Sequence, residues 1–152
     1  MSQALVIQEI NDYLNRYVPL FPAMQARLER CDAAGLSIVA PLEPNINDKG
    51  IAFGGAMAAL AALTGWALTR TTLNEHGEAA EIVITESTQK FLRPVRGDLI
   101  TECQRPNVET IERFIHRYRQ HGKARWTVEV VIRAEGEPAM TFTGQYGVFR
   151  AG

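Results

Sequence analysis

Val6, Ile10, Leu14 and Tyr17 or Val18 recur at spacings of three and four with polar residues between them. That period predicts a short amphipathic helix over Leu5–Val18, which Pro19 stops. Ala26–Cys31 and Leu36–Leu42 then read as two strands joined by Asp32-Ala33-Ala34-Gly35, a turn whose glycine can supply positive φ. Pro41 and Pro44 end the pairing. From Asn45 a polar run, N-I-N-D-K-G, passes through Phe53, Gly54 and Gly55 into an alanine-dense, almost uncharged segment that reaches Thr69. Ala56, Ala58, Ala59, Ala61, Ala62 and Ala67 fall all round a helical wheel, and a helix apolar on every side belongs inside the fold. Ile51–Thr69 does not read as a membrane span, because it is broken by glycines and Thr64, prefers Ala to Leu, and lacks a flanking Lys/Arg bias.

The second half reads as strands. Ile82, Val83 and Ile84 run into Thr85–Phe91, a mixed polar strand that must face water or a site, ending before Arg93-Pro94. Alternation then predicts Leu99–Gln104, Glu112–Arg119 with Phe114, His116 and Tyr118 on one face, Arg125–Arg133 and Met140–Phe149. Gln120-His121-Gly122-Lys123 reads as the turn after the second of these. With no βαβ alternation the class is α+β, a curved antiparallel sheet wrapped around one long central helix, plus a short N-terminal helix. Such a sheet has edge strands to cover, and pairing with a second copy is the simplest cover.

A chain of 152 residues fits one domain over 1–152, with residues 1–22 as an N-terminal helical extension. A hydrophobic share of 46% with 22% charge is globular, and a net charge of -1 argues against a dedicated nucleic-acid binder. Cys31 and Cys103 lie far apart with no C-x-x-C spacing and no histidine pair, so they predict reduced structural thiols and no metal site. The N-terminus has no basic region followed by an apolar one, which predicts cytoplasmic residence.

Gly54 and Gly55 open the buried helix, so free backbone N–H groups stand at a positive dipole end where a carbonyl can approach closely. Those are the requirements of an oxyanion hole. The alternative is that the pair only permits a tight loop-to-helix turn. Arg93, Arg96, Arg117, Arg119, Lys123 and Arg125 are the one notable basic grouping, suited to phosphate oxygens or to a solvated face. His76, His116 and His121 have no partner pattern.

The order of elements, with N-x-x-G-x-x-F-G-G at Asn47, Gly50, Phe53, Gly54 and Gly55, resembles the hot-dog fold acyl-thioesterases. P-L-E-P-N-I-N-D-K-G-I-A-F-G-G, then A-A-L-A-A-L-T-G-W and Q-K-F-L-R-P-V-R-G-D-L, is most similar to the thioesterase family typified by the C-terminal domain of the YiiD acetyltransferase. The match covers Cys31–Gln104 well and the later strands by pattern alone. It implies a homodimer, or a tetramer, acting on an acyl-CoA or acyl carrier protein thioester between subunits, with no cofactor beyond the coenzyme A of the substrate. It assigns Asn47 to orienting water or the carbonyl and Gly55 to the oxyanion; Phe53, Gly54, Ser87, Thr88 and Arg93 are the candidate substrate contacts. An Asx-turn cap is the other reading of Asn47.

Two departures matter: the histidine usual before the two glycines in phenylacetyl-CoA-type relatives is Phe53, and their helix carboxylate falls at Ala62. Asp48 could serve as general base; otherwise a carboxylate or hydroxyl must come from Glu86, Ser87 or Thr88, where alternation puts Glu86 and Thr88 on one face. The missing carboxylate leaves a non-catalytic acyl-CoA or acyl-carrier binding module as the rival, and Phe53 in place of a histidine base weakens a hydratase reading.

Overall fold

The computed structural model of the protein describes residues 2–152. Helix α1, Gln3–Tyr17, is capped by Ser2, whose hydroxyl accepts the Leu5 N–H, and it buries Ile10 and Leu14 while Tyr17 stays exposed. Pro19 both ends α1 and begins the short α2, Leu20–Ala23. Strands β1, Arg27–Cys31, and β2, Gly35–Ala40, follow as an antiparallel pair. Their turn is held by Asp32, whose Oδ1 accepts the Ala34 and Gly35 N–H groups. Gly35 does not adopt positive φ; a Cβ there would collide with the Cys103 carbonyl, so the glycine serves close strand approach.

The long helix α3 spans Gly54–Glu75, β3 spans Glu81–Phe91 and β4 spans Leu99–Gln104. One predicted strand is wrong. Glu112–Arg119 lies within helix α4, Val108–His121. Its inward residues are Phe114, Ile115 and Tyr118, with Ile111 half-buried, a spacing of three, four and seven that belongs to a helix rather than to a strand. Both ends carry helix signals: Asn107 Oδ1 accepts the Thr110 N–H at 2.8 Å, and Gly122, at φ 73°, donates its N–H to Tyr118 O. Strands β5, Lys123–Ala134, and β6, Glu137–Phe149, complete the chain.

The six strands form one antiparallel sheet in the order β1-β2-β4-β5-β6-β3. Helix α4 fills the β4-to-β5 connection, and those strands pair only at Thr101–Ile132 and Glu102–Val131. Phe114 of α4 stacks on Trp126 with centroids 4.2 Å apart, and the Tyr118 hydroxyl donates to Ala79 O at 2.6 Å. Trp126, Val128, Val130 and Ile132 of β5 face α3 as their alternation predicted, beside Phe142, Tyr146 and Val148 of β6.

Small residues let the sheet close on α3, which packs against β2 to β6. The Tyr146 ring lies where a Gly65 side chain would be, and its hydroxyl donates to Ala62 O at 2.6 Å. Trp126 Nε1 donates to Thr69 Oγ1 at 3.0 Å, and the Thr64 and Thr101 hydroxyls meet at 2.8 Å. Thr101 Oγ1 also accepts the Ile38 N–H, replacing a backbone bond in the β2–β4 ladder. On its other side α3 is covered by α1: Tyr13 stacks on Trp66, and Arg70 donates to Glu9 at 2.7 Å. The first turn of α3 stays partly open to solvent. No helix among the described residues is long and apolar enough to cross a membrane.

Two substitutions test this packing by urea unfolding. Gly65→Ala should lower stability by about 1–3 kcal/mol through overpacking against Tyr146, more than the roughly 1 kcal/mol that helix propensity returns. Thr101→Val should cost about 1–3 kcal/mol by leaving the buried Ile38 N–H without its acceptor. Wild-type midpoints in either variant would contradict the placement.

Candidate active site

The polar loop before α3 is a small hairpin. Ile46 bridges Ala52, the Asn47 N–H donates to Ile51 O at 2.8 Å, and the Phe53 N–H donates to Asn45 O at 2.8 Å. Buried Asn45 pins it to the protein by donating Nδ2 to Met24 O and Pro41 O, while the Ala52 N–H reaches Val95 O. Gly50, at φ 74°, makes the tip. Asn47 does what the Asx-turn reading required: its Oδ1 accepts the Lys49 N–H at 2.8 Å and the Ile51 N–H at 3.2 Å. Both acceptor positions are taken, which leaves Nδ2 as the group it can offer a ligand. Asp48 points into solvent and pairs with Lys49 at 3.3 Å.

Phe53 is the N-cap of α3, with an extended backbone and no side-chain cap. The N–H groups of Gly54, Gly55 and Ala56 have no acceptor among the described residues, and the first turn holds no acid to neutralise the helix dipole. Two rings border these donors. A Cβ on Gly54 would lie 3.3 Å from Phe91 Cε1, and one on Gly55 would lie 2.5 Å from Phe53 Cε2. Both rings are more than half exposed, as are Leu92 and, nearly so, Ile46. The helix end is therefore an apolar-rimmed set of free donors, neither packed shut nor enclosed within one protomer.

Strand β3 distributes the remaining candidates unexpectedly. A bulge at Thr85 lies between Ile84, which pairs with Tyr146, and Glu86, which pairs with Gln145. The bulge reverses the alternation that began at Ile82 and Ile84. Ser87, Gln89 and Phe91 consequently share the α3-facing side with Gly144, Phe142 and Met140, whereas Glu86 and Thr88 lie on the convex face. Gln89, absent from the residues that the sequence pattern singles out, donates to Ser87 Oγ at 2.7 Å. Its only sequence signal was sharing parity with Ser87 and Phe91.

The basic grouping divides. Arg93 and Arg96 line a cleft of about 530 Å³ with Arg133, Asp98, Glu135 and Glu137, and neither makes an ion pair among the described residues. Arg119 is held on Glu78 and His76 O, at the far end of α3. A larger cavity of about 1040 Å³ also lies at that far end, lined by Arg70, Thr71, Glu75, Cys31 and Arg105. Its arginines are already paired, Arg70 with Glu9 and Arg105 with Glu75. No group of three or more His, Cys, Asp or Glu among the described residues is arranged to hold a metal ion.

A family model described as "Putative thioesterase (yiiD_Cterm)" matches residues 7–150. Among solved structures, a Chlorobaculum tepidum protein of unknown function is 30% identical, with a TM-score of 0.94 over 99% of this chain and 98% of that one. A Shewanella oneidensis protein described as a putative thioesterase superposes at a TM-score of 0.84 with 23% identity, covering 96% of this chain and 98% of its own. A Pseudomonas aeruginosa protein described as a probable thioesterase gives 0.81 and 23%, covering 95% of each chain. The hot-dog fold expected from the motif is the fold these structures share.

Neither thiol is placed as a nucleophile. Burial pushes the Cys103 thiol up to about 12, and burial likewise raises Cys31 despite the neighbouring Arg105 guanidinium. A thiol-specific reagent at pH 8 should count no reactive cysteine in the folded protein and both after denaturation. Rapid labelling of the native protein would reopen cysteine chemistry.

Proposed function

We propose that this chain, which belongs to the yiiD C-terminal thioesterase family, hydrolyses an acyl group from coenzyme A or an acyl carrier protein at the amide end of α3. The family makes it a thioester hydrolase; carrier, acyl group and mechanism are our reading. The observation that carries it is the trio of unpaired amides, Gly54, Gly55 and Ala56, at the positive end of a 22-residue helix. Water adds to the thioester carbonyl carbon and gives up a proton to a base, and the carbonyl electrons move onto oxygen. In this reading the amides receive that oxyanion, and Asn47 Nδ2, which makes no hydrogen bond among the described residues, supplies a further donor. Collapse restores the carbonyl, breaks the C–S bond and releases the thiolate, which takes a proton.

A single protomer does not bring a general base to these donors, since Asp48 faces solvent and Glu86 the convex side. We therefore place the site at a junction of two copies. Strand β3 is eleven residues long with one unpaired edge, and Val83, Ile84, Phe91 and Leu92 are exposed on or beside it. A long edge with apolar side chains favours strand pairing with a second chain. The homodimer brings a second β3, with its α3-facing Ser87, toward the helix end, while Glu86 and Thr88 keep to the convex face, and a further pairing of dimers makes a tetramer. Arg93 and Arg96 suit coenzyme A phosphates, because neither guanidinium fork is in an ion pair among the described residues, in a cleft shared with Asp98, Glu135 and Glu137.

One observation keeps the binding-module reading alongside: α3 has no carboxylate before Glu75. Free-thiol release from a panel of acyl-CoA and acyl carrier protein thioesters separates the two. Turnover is expected, with kcat/KM falling about 100-fold in Asn47→Ala, the scale for losing one oxyanion donor. Saturable binding without thiol release would establish the binding module, and equal rates in both proteins would remove Asn47 from the mechanism. Light scattering should give at least twice the 16.9 kDa of one chain.

A further inference from the structure

Gly55 in the sequence suggests space left for a substrate, but in the fold a side chain of the same protein fills it. The nearest atoms to a Cβ built on Gly55 all belong to Phe53: Cε2 at 2.5 Å, Cζ at 3.0 Å and Cδ2 at 3.2 Å. Phe53 turns back over the helix it precedes, with its own backbone extended at φ -69° and ψ 131°. It is 55% exposed and pairs with no other aromatic ring among the described residues. Phe91, on the adjoining side at Gly54, belongs to a strand fixed opposite Met140. The free amides thus stand beside two half-exposed rings, of which Phe53 is the one that lies over Gly55.

Resting on the thioesterase reading above, we propose that Phe53 determines acyl specificity. Its ring lies in the vacancy of Gly55, swings aside to admit the thioester carbonyl, and is held open by contact with an apolar acyl body of several carbons. Moving the ring off Gly55 exposes apolar surface, which an acyl chain covers again and a lone acetyl methyl does not. A dicarboxylic acyl group would have to desolvate its second carboxylate against the rings, which disfavours it. Apolar pockets discriminate on a scale of about 10 to 200-fold. The expected preference is therefore octanoyl over acetyl by at least about tenfold in kcat/KM.

Three proteins test this, wild type, Phe53→Leu and Phe53→Ala, each exposed enough at residue 53 to fold. In NMR spectra the Gly55 α-protons should shift on Phe53→Leu while those of Gly65 stay put. The octanoyl-to-acetyl ratio of kcat/KM should fall to within about threefold in Phe53→Ala, driven by a rise on acetyl-CoA, with Phe53→Leu between. Unmoved Gly55 resonances, or an unchanged ratio, would overturn the proposal. Should no protein release thiol, the ratio is read from binding of non-hydrolysable octanoyl and acetyl thioether analogues. A preference abolished by Phe53→Ala then supports the ring's role while the hydrolytic reading falls, and no preference in wild type overturns it.

Discussion

Everything in this fold depends on how closely α3 approaches the sheet. Alanines and Gly65 remove side-chain bulk from the helix, so large residues come from the strands instead: Tyr146 fills the notch at Gly65 and Trp126 reaches Thr69. Because the contact is close, polar atoms on either side are within hydrogen-bonding reach of each other. Tyr146 bonds Ala62 O, and Thr64 meets Thr101, which has already replaced a rung between β2 and β4. The helix is held by directed bonds as well as by burial, which fixes its rotation and its position along the sheet. Burial also pushes the Tyr146 hydroxyl well above the usual phenol range, so it remains a donor.

A helix fixed in this way presents its N-terminal turn at one definite place. Covering by α1 over Trp66 and Arg70, and by β2 to β6 on the other face, leaves the first turn of α3 partly open to solvent. The hairpin around Asn47 uses its own polar groups to hold its shape, with Asn45 tied below and the Phe53 N–H consumed. What remains unpaired is the set of amides one residue further on. The chemistry of the site follows from what the loop does not use.

The same division of polar groups governs where charge lies around the helix end. The donors and the aromatic rim gather at one end of α3, whereas Asp48 faces solvent, Glu86 lies on the convex face, and the unpaired Arg93 and Arg96 share their cleft with Asp98, Glu135 and Glu137. The larger cavity at the opposite end has a rich polar lining, but its arginines are neutralised by Glu9 and Glu75. An unpaired strand edge of eleven residues with exposed apolar side chains lies beside the donor end instead.

Local periodicity was enough to read the buried alanine helix, the alternating faces of β5 and β6, and the loop, glycine pair and helix order that marks the family, because each is a property of neighbouring residues. The helix α4 was legible too, in the spacing of Ile111, Phe114, Ile115 and Tyr118 between Asn107 and Gly122, although alternation of Phe114, His116 and Tyr118 imitates a strand. Tertiary structure alone decided the rest. A one-residue bulge at Thr85 turned Glu86 away from α3 and Ser87 and Gln89 toward it, since a strand's faces exchange with every register slip. Packing, which no spacing encodes, laid the Phe53 ring over Gly55.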